Sequence, residues 1–362
     1  MMLEGYCRCI DCRDESGNPW SEPIYFDPNP HKFETQQMSS IADTHPELFH
    51  YTTAAGLTGI LESKSLWATH SSFVNDAEEI LGFYDRILPA ILRPIFQKCF
   101  EEVKTSPAFQ KELGNKTLES YCDEQFAQLI DIFRTTAATF HDHYIASFST
   151  PRNDWIREHG LLSQWRAYGP DGGYVIVFDT TTFDEILSAE TAPYQEERFS
   201  WIDVQYHLNE NRRTGDPDTD KWIEKLEISA ENFFRSSSEN NASELADPLI
   251  ILSSIFKHRG FEEEREVRFV LSLLGTRLES EPELQSIRQH PIKTRIRVGE
   301  TIPYVELCIR ESNGVRKHLP IKRIIVGPHQ DKNNRKRAVQ LLLKQHGLNP
   351  DMVTVSDIPY RG

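Results

Sequence analysis

Short apolar runs of strand length recur along this chain at uneven intervals, and the segments between them are helical in pattern but differ widely in length. Leu48 to Thr53, Tyr144 to Ser149, Gly173 to Phe178, Trp201 to His207 and Val267 to Leu271 read as strands. Further strands are expected near 292–298, 303–309, 322–327 and 353–356. A doubly wound parallel sheet needs regular strand–helix periods, which are missing here. The pattern therefore predicts an α+β fold around a mixed or antiparallel central sheet, with helical insertions near 76–142 and 211–258. Residues 46–362 read as a single domain. Residues 1–45, with Gly17, Pro19, Pro23, Pro28 and Pro30 and little periodicity, read as an irregular arm.

Composition narrows the classes of function. No apolar run reaches the roughly 18 residues of a membrane span, and Glu4, Arg8, Asp11 and Arg13 stand where a leader needs an apolar centre, so a cytoplasmic protein with no membrane partner is expected. A net charge of −15 argues against tight non-specific duplex binding, which rests on phosphate neutralisation, but leaves a nucleic-acid substrate open. Lys293, Arg295, Arg297, Arg316, Lys317, Lys322 and Arg323 are basic but alternate with apolar residues, and read as a solvated sheet face. Neither Gly-x-Gly-x-x-Gly nor Gly-x-x-x-x-Gly-Lys occurs, which argues against a Rossmann or P-loop site.

Five features could carry chemistry. His50-Tyr51-Thr52 ends the first strand, where an imidazole could donate to a ribose hydroxyl or a phosphate while Thr52 or Thr53 caps the helix that follows; a core histidine satisfied by backbone is the alternative. Asn75 or Asp76 reads as the N-cap of the next helix, and Asn75 could also order a loop that borders the site. Ser147 and Ser149 end another strand, and Trp165 and Tyr168 lie three apart on a helix, either to stack on a planar ring or to pack a core. If Glu264 to Val270 is extended, Glu264, Glu266 and Arg268 share one face. Cys7, Cys9 and Cys12 could begin a zinc site with a fourth ligand from His31, His45 or elsewhere, or be free thiols in the arm.

In order, Phe-His-Tyr-Thr, Gly-Ile-Leu, Leu-Trp, Phe-x-Asn-Asp-x-Glu, Ser-Phe-Ser, Trp-x-x-Tyr, Gly-Gly-Tyr, Glu-x-Glu-x-Arg and Ile-Ile-Val-Gly-Pro resemble the bacterial family named domain of unknown function 2971, over roughly 46–361. The opening is also similar to the first strand and helix of ADP-ribosyltransferases of the His-Tyr-Glu type. That likeness implies an ADP-ribosyltransferase-like fold and NAD as co-substrate. It matches His50 to the histidine that holds the ribose and amide of NAD. It matches Tyr168, or else Tyr174, to the tyrosine that stacks on nicotinamide, Glu266 to the catalytic glutamate, and Glu264 to an acid that engages the acceptor. Under it Tyr51, Thr52, Ser147 and Ser149 would border the cofactor, and Arg166 or Arg152 would meet the pyrophosphate.

The activity so implied is transfer of ADP-ribose from NAD to a macromolecule, with nucleic acid, RNA in particular, ahead of protein. The physiological setting would be a toxin or anti-phage effector, with an antitoxin or regulator as partner. Two other readings stay open: a non-enzymatic module that senses a nucleotide or binds a partner, and an RNA 2′-phosphotransferase.

Overall fold

The computed structural model describes residues 41–74, 82–140, 143–168, 172–183, 198–236, 239–272, 290–297, 299–311 and 313–359. Cys7, Cys9, Cys12 and His31, with Asn75 and Asp76, lie outside them. The described fold is α+β, and the chain divides into two compact units, one helical and one built on a sheet.

The helical unit gathers 78–141 and 205–259, so the two insertions expected from the sequence make one body. Its principal helices are Leu88–Val103, Leu118–Phe140, Pro217–Arg235 and Glu239–Ile255. Their buried stripes follow the helical period: Ile91, Leu92, Phe96, Cys99 and Phe100 on the first, Ile223, Leu226, Ala230, Phe233 and Phe234 on the third. Phe96 meets Phe100, Phe126 and Phe234 at ring separations of 4.6, 5.3 and 5.1 Å. Pro94 lies inside the first helix. Packing of the surrounding aromatic stripe outweighs the hydrogen bond that a proline removes. No helix among the described residues is long and apolar enough to cross a membrane.

Among the described residues the sheet unit holds ten strands: β1 (Glu47–Thr52), β2 (Leu66–His70), β3 (His143–Ser149), β4 (Tyr174–Asp179), β5 (Arg198–Asp203), β6 (Glu266–Ser272), β7 (Ile292–Arg297), β8 (Glu300–Leu307), β9 (Ile321–Val326) and β10 (Val353–Val355). All pairs are antiparallel except β9 with β10. The last predicted strand of the middle region starts and ends earlier than expected, at 198–203 rather than 201–207.

β3 is the junction. β6 pairs with it along its whole length, from His143 opposite Ser272 to Ser149 opposite Glu266. Its other edge is shared, with β1 joining at Phe49 opposite Ser149 and β2 at Thr69 opposite Ile145. Between these points β1 and β2 part, β1 continuing to β4, β9 and β10, and β2 to β8 and β7. The sheet is forked at Ala146–Phe148.

Alternation along the strands sorts the side chains. Leu48, Tyr144, Ala146, Phe148, Ile176, Phe178, Val267, Phe269, Val305 and Ile324 enter the larger core with the Ala54–Ser63 and Lys332–Gln345 helices. Phe49, Tyr51, Val175, Val177 and Ile325 face the other way, beneath Ile156, Leu161 and Trp165. The Thr53 side chain accepts the Gly56 N–H at 3.2 Å and so caps the first of these helices. The chain after β9 passes close to that before β4: the Gly327 N–H donates to the Gly173 carbonyl at 3.1 Å. A Cβ at Gly327 would fall 1.5 Å from the Gly172 carbonyl oxygen.

Two stability measurements check this packing. In urea, Thr53→Ala should cost about 1 kcal/mol, the usual value of an N-cap. Gly327→Ala should cost about 3 kcal/mol, because two backbone segments must separate.

Candidate functional site

At the fork, the stretch of β3 between its two partners needs hydrogen-bond partners that no neighbouring strand among the described residues provides. His50 supplies one: its Nδ1 lies 3.0 Å from the Ser147 carbonyl. A carbonyl can only accept, so Nδ1 carries the proton and a neutral ring leaves a lone pair on Nε2. Burial lowers the His50 pKa from its usual value, against the Ser147 contact that raises it, and the nearby charge of Arg295 lowers it further. The ring is therefore neutral near pH 7. A free Nε2 accepts rather than donates, which reverses the ribose contact expected from the sequence.

Across the face opposite the larger core runs a row of registered residues: Val177, Phe49, Ser149 and Glu266. Tyr51 stands one step along the same face. Its hydroxyl accepts the Leu161 N–H at 2.7 Å and is hydrogen-bonded to the Ser149 side chain, while its ring meets Trp165 edge-on at 5.1 Å. Burial pushes its pKa up, so the phenol stays protonated. Glu266 and Arg268, 7% and 3% exposed, form a bidentate pair, Nε to Oε1 at 2.7 Å and Nη2 to Oε2 at 3.1 Å. A bidentate fork of this kind is the geometry of an ionised carboxylate.

His50 and Glu266 thus leave strands two spacings apart, about 10 Å, one register step from each other. By alternation they leave on opposite faces. His50 touches Phe148 of the larger core at 5.7 Å between ring centres. Only where the strands part can groups of both faces serve one ligand.

Other expected residues separate. Glu264 closes a 3-10 turn over Arg259–Glu264, and Arg265 follows with φ of 45°, so the strand begins only at Glu266. The expected shared face of Glu264 and Glu266 does not form, because the left-handed residue breaks the alternation. Tyr168 packs on the Phe49–Tyr51–Trp165 cluster, whereas Tyr174 is buried in the larger core on the other face of β4. Trp165 is itself core, its indole N–H donating to the His159 carbonyl at 3.0 Å. Arg166 and Arg152 are exposed. Thr52 packs its hydroxyl against Gly56, where a Cβ would stand 2.0 Å from it. His45 contacts Asp203 at 2.7 Å, and the described residues hold no cluster of three or more metal-ligating side chains.

Sequence reading missed Arg295. Taken as part of a solvated face, it instead lies over Trp67 and Tyr304, its guanidinium carbon 5.2 and 5.8 Å from the ring centres, with Nη2 donating to the Thr69 hydroxyl at 2.9 Å. Its alternation with Thr294 and Ile296 was legible; the aromatic platform was not, because Trp67 is more than two hundred residues away in sequence.

Two outcomes follow. Because the unfolded chain binds a proton at residue 50 near the usual 6.5 and the folded chain binds it less readily, stability should fall as pH drops below about 6.5. His50→Asn should flatten that fall between pH 6.5 and 5 in thermal melts. Arg268→Ala removes the bidentate partner of a buried carboxylate and should cost about 3–5 kcal/mol in urea unfolding.

No curated protein and no solved structure matches the chain. The stretch 164–269, which carries Trp165, Tyr168, Gly173 and Glu266 but neither His50 nor Arg295, matches the family model described as a protein of unknown function (DUF2971), and this supports kinship with that family over those residues.

Proposed function

We propose that the sheet unit binds NAD at the fork and transfers ADP-ribose to a macromolecular acceptor. One observation carries the reading: His50 of β1 bonds the Ser147 carbonyl of β3 where the sheet divides, and the Glu266–Arg268 pair of β6 stands beside Ser149 on the opposite face of the same junction. In this chemistry the bond between C1′ of the nicotinamide ribose and the ring nitrogen breaks, and nicotinamide leaves with the bonding pair. The acceptor's nucleophile then bonds to C1′ and gives up its proton to solvent. The cationic character that develops at the ribose calls for a fixed negative charge, and Glu266, hydrogen-bonded to the 2′-hydroxyl, is the group assigned to it. The Nε2 lone pair of His50 would take a ribose hydroxyl proton as a hydrogen bond, and Tyr168 would border the nicotinamide.

A second reading is favoured by one fact: Arg268 already holds both oxygens of Glu266. A carboxylate so engaged stabilises a developing cation less, and the same fork would then serve a module that binds a nucleotide without cleaving it.

Glu266→Gln separates the two. With the full chain, NAD and a mixture of cellular RNA and protein, transfer predicts nicotinamide release by the wild type and a loss of about a hundredfold or more in the variant. NAD affinity should change by less than about threefold. NAD bound by both proteins with no nicotinamide released by either would leave the binding module; no NAD bound by either would discard both.

A further inference from the structure

Among the described residues Arg295 has no acid, unlike Lys293, Arg316, Lys322 and Arg323. Lys293 and Arg316 share Glu306 at 2.8 and 2.7 Å. Lys322, Arg323 and Arg157 gather on Glu47 at 2.6, 3.5 and 3.5 Å. No carboxylate among the described residues pairs with Arg295. Its Nε is buried without a hydrogen bond, and its one bond is the donation from Nη2 to Thr69. Arg297, two residues on along the strand, adds like charge. Arg295 is half-buried, so its charge is partly desolvated without a counter-ion, and two rings hold the group in place. This is the condition of a site whose counter-ion is a ligand.

We infer that Arg295, seated on Trp67 and Tyr304, is the subsite for the diphosphate of a dinucleotide bound at the fork. The class of ligand follows from two neighbouring chemistries. A planar guanidinium with N–H groups to spare suits phosphoryl oxygens. His50, close enough for its charge state to respond to Arg295, offers an acceptor at Nε2 and so suits a hydroxyl. A phosphorylated ribose carries both. An anion without hydroxyls would use only half of the arrangement. The naming of a dinucleotide rests on the NAD reading above; the anion subsite itself does not.

The test titrates ADP-ribose, inorganic pyrophosphate and adenosine into the full chain by calorimetry, comparing wild type with Arg295→Gln and Arg295→Lys. The subsite predicts that ADP-ribose affinity falls at least about tenfold in Arg295→Gln and by less in Arg295→Lys, which keeps the charge but loses the planar fork. Pyrophosphate should follow the same order, and adenosine should bind all three proteins alike. Equal ADP-ribose affinity in all three proteins would overturn the proposal, as would a lower melting temperature in both variants with unchanged affinity. Affinity lost in Arg295→Gln, with no nicotinamide released from NAD by the wild type, would keep the subsite and discard the transfer chemistry. Nicotinamide release at an unchanged KM in Arg295→Gln would discard the subsite alone.

Discussion

The bond from His50 Nδ1–H to the Ser147 carbonyl is small in energy, about 1 kcal/mol, and it meets a backbone need at the point where the sheet divides. A strand inside a sheet must satisfy the backbone groups of both edges. β3 does so on the β6 side by regular pairing, and on the other by sharing that edge between β1 and β2. Where neither reaches, a side chain replaces a backbone donor. That substitution fixes the imidazole tautomer, while burial, against the Ser147 contact, lowers the basicity of the ring.

Divergence changes what the sheet can hold. A closed antiparallel sheet with apolar residues on both sides has no place for an acid and two guanidiniums. Here one face is filled by the larger core, while the opposite face carries the Phe49–Trp165 cluster, the Glu266–Arg268 pair and Arg295 on its aromatic platform. Ion pairs buried in this way add little net stability over well-packed apolar residues. Arg295, half-buried with no carboxylate partner among the described residues, is held by its two rings and by Thr69. The distribution fits a region shaped by what it binds, with strength of folding supplied by the apolar side of the same strands.

Much of the architecture was legible because local periodicity reports local structure. The Leu48–Thr53 run, the Thr53 cap and the following helix are set by neighbours in sequence, and Val267 and Phe269 alternate with Glu266 and Arg268 as a half-buried strand demands. Glu264 was misread because a single left-handed residue, Arg265, ends the alternation without any glycine to announce it. The fork was not legible: it arises from which strands share β3, and pairing between segments about a hundred residues apart leaves no local trace. The same limit hid Arg295, whose environment is built by Trp67 and Tyr304, and the union of two insertions into one helical unit.

The claim at the centre of this account is that a nucleotide enters where β1 and β2 part from β3. Amide hydrogen exchange of the full chain with and without saturating ADP-ribose tests it most directly. The account predicts slowed exchange concentrated in 48–53, 66–70 and 145–150, with the helical segments 88–103 and 217–235 unchanged. Protection confined to those helices, or no change anywhere at saturation, would contradict it.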